Sequence, residues 1–164
     1  METDESRTER RRQLLSGLGY FPRTAKNTLT ADELIKAVTS WAENRVDIVS
    51  IALVGSHARG NARADSDVDL VIQCARPARY LGDLTWISEF GVAQDVSVED
   101  YGLVQSVRVF YAGGPEVEYG IISSEWVMLP LDEGTITVLR NGVLVLLDRD
   151  GALTRAVEWM REHA

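Results

Sequence analysis

The stretch GSHARGNARADSDVDLVI, Gly55–Ile72, decides how this chain is read. It is entered from IVSIALV (Ile48–Val54) and runs out through VDLVIQC (Val68–Cys74), two short β-branched apolar runs of the kind that form buried strands. Between them, residues from Ser56 to about Asn61 have room for a helix of one or two turns, with Ser56 placed to act as its N-cap. A glycine directly after a strand lets the chain turn tightly and lets backbone approach a ligand, while the first N–H groups of the next helix lack partners. Such a corner attracts anions, and Ser56, Arg59 and Arg63 could serve the same phosphate. A Gly-Ser pair alone is weak evidence, since most are ordinary turns or caps.

The second half of the stretch adds charge. Asp67 and Asp69 are one residue apart at the start of an apolar strand, so their side chains leave the same face with Cα atoms about 6.6 Å apart. Val68 and Leu70 would pack into the core from the opposite face, which fixes the register and forces the two acids to share a site. Two carboxylates so placed repel each other without a cation, and hard oxygen ligands suit two Mg2+ ions about 3.5–4 Å apart. The duller reading is a solvated strand face, but aspartate is depleted in strands and two within one apolar run fit that reading poorly. A calcium loop starting at Asp65 fails, because its sixth position is Leu70 rather than Gly and its twelfth is Arg76 rather than Glu.

Working outward, Thr30 and Glu33 read as a capping box for a helix over about 31–45, with Leu34, Ala37, Val38, Trp41 and Ala42 at helical spacing. Pro77 opens a helical region reaching Phe90. The runs Leu103–Ala112 and Glu116–Ile122 flank Gly113-Gly114-Pro115 as a β-hairpin. Asp132 caps a further helix that Asn141-Gly142 ends, Val143–Leu147 is a strand, and Leu153, Ala156, Val157 and Met160 form the stripe of a last helix. Residues 1–29, charged and then broken by Gly17, Gly19 and Pro22, read as an appended segment. Residues 30–164 then make one α+β domain around a mixed β-sheet.

Composition narrows the classes. At 164 residues a single domain buries roughly 70% of its unfolded surface and needs no metal or disulfide staple. The one cysteine, Cys74, lies in an apolar run and has no partner for an intramolecular bridge, which suits a reducing cytoplasm. No apolar span of membrane-crossing length and no secretory signal occur, so a cytoplasmic chain without membrane contact is expected. A net charge of -8 argues against nonspecific binding along nucleic acid, which depends on Lys and Arg displacing counterions. Neither G-x-x-x-x-G-K-[ST] nor a strand-following G-x-G-x-x-G is present, which argues against kinases and Walker-type ATPases.

Val54-Gly55-Ser56, ten intervening residues, and Asp67-Val68-Asp69-Leu70 together resemble the signature of the DNA polymerase beta-like nucleotidyltransferase superfamily. The resemblance covers about residues 48–122, and the region from Asp132 to Leu147 is similar to small relatives of the aminoglycoside and lincosamide nucleotidyltransferases. It implies that Gly55 and Ser56 hold a nucleoside triphosphate such as ATP, which Arg59 could also reach from the short helix, and that Asp67 and Asp69 bind Mg2+. It also implies a third carboxylate on an adjacent strand. Glu116 and Glu118 compete for that place, and Glu118 is favoured because it lies well inside the strand, whereas Glu116 borders the turn. The implied activity is transfer of AMP from ATP to an acceptor hydroxyl, on a small molecule or a protein, with release of pyrophosphate.

Relatives with antibiotic acceptors carry a larger C-terminal helical domain for which this chain has almost no room, so a homodimer sharing a site, or a partner protein, is expected. The rival reading is a regulatory, antitoxin-like module that keeps the fold and acts on a toxin-like partner by contact. His57 reads as a neighbour of the phosphates rather than a catalyst. Of the four tryptophans, only Trp126 is a candidate for the pocket, the others being explained by core packing.

Overall fold

The computed structural model describes residues 28–164, so the charged start of the appended segment lies outside the described residues. Its last two positions pack on the domain: Thr28 Oγ1 donates to the Ala112 carbonyl at 3.3 Å, and Leu29 rests against the core. The two apolar runs form β1 (Ile48–Val54) and β2 (Val68–Cys74), paired antiparallel with Val54 opposite Asp69. On the other side of β2, β5 (Glu116–Ile122) runs parallel to it, with Asp69 opposite Glu118. Antiparallel pairings extend the sheet through β4 (Gln105–Tyr111) to β3 (Ala93–Asp100) at one edge and to β6 (Val143–Asp148) at the other. The result is one mixed six-stranded sheet of order β3-β4-β5-β2-β1-β6 in an α+β domain.

Strand alternation sends side chains to two cores. One face, with Ile51, Leu53, Val68, Leu70, Ile72, Val117 and Tyr119, packs beneath α1 (Ala31–Glu43) and an aromatic group of Trp41, Tyr80, Trp86 and Phe90. Leu34, Val38 and Ala42, on one stripe of α1, are fully buried there, and the Thr30–Glu33 capping box closes the helix as its sequence predicts. Trp41 and Trp86 stack at 5.5 Å, which accounts for both as core. The opposite face, with Ala52, Val54, Val71 and Ile122, packs against Trp126, α4 (Glu133–Arg140) and α5 (Ala152–His163). Asp69 and Glu118 alternate with the first face, and so belong to the second.

Two expectations need correction. The region from Pro77 to Phe90 is not one helix: α3 (Pro77–Gly82) stops, and a 3-10 turn (Thr85–Phe90) follows. Asp83 Oδ1 accepts from the Thr85 N–H at 3.0 Å, a local side-chain bond that competes with helix continuation. Strand β3 was not expected, because only Ala93 and Val96 along it are buried and its other residues give the polar pattern of an edge. Among the described residues, no helix is long and apolar enough to cross a membrane.

Candidate functional site

The site begins where β1 ends. Val54 is extended, and Gly55 then takes φ +73°, a left-handed conformation that side-chain-bearing residues rarely adopt, and starts the short helix α2 (Gly55–Arg59). Because the glycine makes the turn, the helix starts one residue earlier than expected: Ser56 lies inside its first turn, and no side chain caps it. A Cβ on Gly55 would stand 2.6 Å from Asp69 Oδ2. The glycine is therefore required twice, by its dihedral angle and by the carboxylate pressed against it.

That contact opens into a cleft of about 590 Å3 whose lining includes Gly55, Ser56, Arg59, Asp67 and Asp69. Five of the six residues expected to form the site thus share one cavity. Asp65 and Ser66 contribute to it from the loop before β2, Val138 from α4, and Asn141 from the position just after that helix. Arg59 Nη1 donates to the Asn141 carbonyl at 2.6 Å, which ties α2 to the end of α4. Gly142 makes this approach possible, since a Cβ there would stand 2.6 Å from Arg59 Cγ. Asn141 was legible in the sequence only as a helix stop.

Asp69 is half-buried, and its carboxyl is raised from the usual 3.8 to about 6. Burial is the largest cause, followed by the charges of Glu118 and Asp67; Arg108 opposes them. Asp67 precedes the first residue of β2 and lies beside Glu116, whose carboxyl is raised by burial first and then by a hydrogen bond to Asp67.

Glu118, the sixth expected residue, lines a neighbouring cavity and not the cleft. Its Oε1 accepts from Ser106 Oγ at 2.7 Å, and its Oε2 meets Arg108 Nη2 at 3.2 Å. Arg108 also reaches Glu116, Nη1 to Oε1 at 3.4 Å, so one guanidinium bridges both competitors for the third carboxylate. Sequence reasoning missed Arg108 and Ser106. The signal was present in the hairpin: a register centred on Gly113 pairs Arg108 with Glu118, as observed.

The residues around this set fall as follows. His57 and Arg63 line a separate cavity of about 610 Å3 with Thr30 and Gly114, so His57 does not face the cleft. Trp126 is buried and borders the same cavity as Glu118. Burial pushes the Cys74 thiol up to about 12, in keeping with an inert core residue.

A divalent cation can be tested against these donors. Among the described residues, no three His, Cys, Asp or Glu side chains are gathered closely enough to hold a metal by themselves. The two cleft-lining aspartates nevertheless fit Mg2+, which is commonly held by one or two carboxylates and completed by substrate phosphates and water. Burial does most to raise the Asp69 carboxyl, and the charges of Glu118 and Asp67 that add to the rise are ones such a cation would offset.

Residues 33–110 match the family described as Nucleotidyltransferase domain. No curated protein matches the chain. Among solved structures, the chain is similar to an aminoglycoside 6-adenyltransferase from Bacillus subtilis, with a TM-score of 0.48 and 16% identity. That match covers 70% of this chain but only 40% of the other, so the chain spans less than half the length of that protein.

Proposed function

Starting from the match of residues 33–110 to the Nucleotidyltransferase domain family, we propose that this chain transfers AMP from ATP to an acceptor hydroxyl, with Mg2+ as cofactor and pyrophosphate as the second product. The observation that carries this reading is the convergence of the Gly55 turn, Ser56, Arg59, Asp67 and Asp69 on one cleft. A polar cavity lined by both a guanidinium and a carboxylate pair suits a triphosphate and a metal together.

Asp67 and Asp69 would hold Mg2+, which supplies charge neutralisation at the phosphates and polarises the phosphorus under attack. Arg59, anchored by the Asn141 carbonyl, is positioned to meet the phosphate chain with little loss of side-chain freedom on binding. Gly55 lets the backbone of the turn approach without a side chain in the way. Val138 of α4 and Asn141 just after it add a further wall to the cleft. Glu118, held by Ser106 and Arg108, keeps negative charge next to Asp69 and is the favoured third carboxylate. Chemistry of this kind is driven mainly by positioning and electrostatic stabilisation, and this chain's contribution is a fixed geometry at the end of two paired strands.

The test is calorimetric titration of a nonhydrolysable ATP analogue with and without Mg2+, on the wild type, Asp67→Asn and Asp69→Asn. Mg2+-dependent binding that falls at least tenfold in both variants supports the reading. A folded wild-type protein that binds no nucleotide would overturn it and favour action by protein contact.

A further inference from the structure

A second cavity, about 290 Å3, lies beside the polar cleft and shares Val54, Asp69 and Val138 with it. Its character is different. Val54, Leu70, Val71, Val104, Gly120 and Trp126 give it apolar walls, and Asp69, Glu118 and Ser106 supply the polar groups at one side. Gly120 keeps it open: a Cβ there would stand 3.1 Å from Val104 Cγ1. Asp69 thus lines both a polar cavity and an apolar one.

A transfer reaction needs its two substrates on either side of one reacting centre. Resting on the transfer proposed above, we infer that this apolar cavity is the acceptor subsite and that it takes a neutral, compact aromatic or aliphatic alcohol rather than a polycationic sugar. The acceptor oxygen, reaching past Asp69, would form the new bond to the α-phosphorus as the bond from that phosphorus to the bridging β oxygen breaks. Pyrophosphate leaves with the electron pair, and the hydroxyl proton passes to solvent. A ligand bearing several ammonium groups would leave them desolvated against valine and tryptophan, whereas a pocket with apolar walls and a few convergent polar groups selects an apolar body with one hydroxyl.

The probe is 4-fluorobenzyl alcohol, followed by ligand-observed fluorine NMR on the full chain without nucleotide, and then as acceptor with Mg2+ and ATP. Saturable binding is expected, weakened at least tenfold in Val104→Trp, which fills the cavity, while binding of the ATP analogue is unchanged. Gly120→Ala, a smaller intrusion on the same wall, serves if Val104→Trp does not fold. The inference is overturned if the alcohol does not bind, if neither variant weakens it, if adenosine displaces it, or if a polyamino sugar is the better acceptor. A wild type that binds the alcohol in this cavity but binds no ATP analogue would instead refute the transfer reading and leave the cavity's preference standing.

Discussion

Replacing Asp69 with Asn should stabilise the metal-free protein while abolishing transfer. The Asp69 carboxyl is raised from 3.8 to about 6, chiefly by burial and then by the charges of Glu118 and Asp67. A rise from 3.8 to about 6 corresponds to roughly 3 kcal/mol, at about 1.4 kcal/mol for each tenfold change in proton affinity. Asp69 is only half-buried in an open cleft, and solvent screening reduces this to about 1–2 kcal/mol. An acid whose folded value lies above its unfolded one favours the folded state most when protonated. Its contribution is therefore fully present below pH 3.8 and is lost as pH rises through about 6.

Asparagine cannot ionise, so the variant escapes that loss. For a chain of this size, about 1 kcal/mol moves the Tm by roughly 2–4 °C, so Asp69→Asn should melt about 2–8 °C above wild type near pH 8. The gap should close as the pH approaches the unfolded value of 3.8. Thermal denaturation followed by circular dichroism in chelator, across that range, measures it. Adding Mg2+ should then raise the wild type's Tm more than the variant's. A variant melting at or below wild type at pH 8, or a gap that does not change with pH, would refute the reasoning.

Two further changes test the parts that support Asp69. Gly55→Ala forces a side chain into φ +73° and onto Asp69 Oδ2, so it should cost about 1–3 kcal/mol. It should also weaken binding of the ATP analogue in the folded fraction, which melting and calorimetry report separately. Arg108→Met removes the charge that bridges Glu116 and Glu118 and lowers the Asp69 carboxyl. It should lower the Tm near neutral pH, by about 1 kcal/mol or less for so accessible a pair, and the loss should shrink in acid as the carboxyls protonate. A melting curve across pH checks this.

The sequence was informative wherever one local rule settled the conformation. Thr30 and Glu33 specify the start of α1 by themselves, and the alternation from Val68 to Cys74 specifies which face Asp69 occupies. Strand β3 was not legible because an edge strand buries only part of one face, and Ala93 and Val96 are too few to show a period. The break after Gly82 was hidden for another reason: Leu84, Trp86 and Ile87 are apolar in either helix type, while the stop depends on a bond from Thr85 to Asp83.

The site divides along the same line. Gly55, Ser56, Asp67 and Asp69 lie within one strand-turn-strand unit, where spacing alone brings them together. Glu118 could be named from the sequence but its partners could not, because they depend on the pairing of β4 with β5. That pairing explains a feature that would otherwise look unfavourable. Asp67, Asp69, Glu116 and Glu118 stand at the adjacent ends of parallel strands, where burial and then the charges of their neighbours raise the Asp69 and Glu116 carboxyls. Arg108 offsets the outer pair from β4 and leaves Asp67 and Asp69 facing the cleft. Of this group, the two acids that Arg108 does not pair are therefore the ones that face the place where the proposed Mg2+ and triphosphate would bind, and the strand order of the sheet is what separates the two pairs.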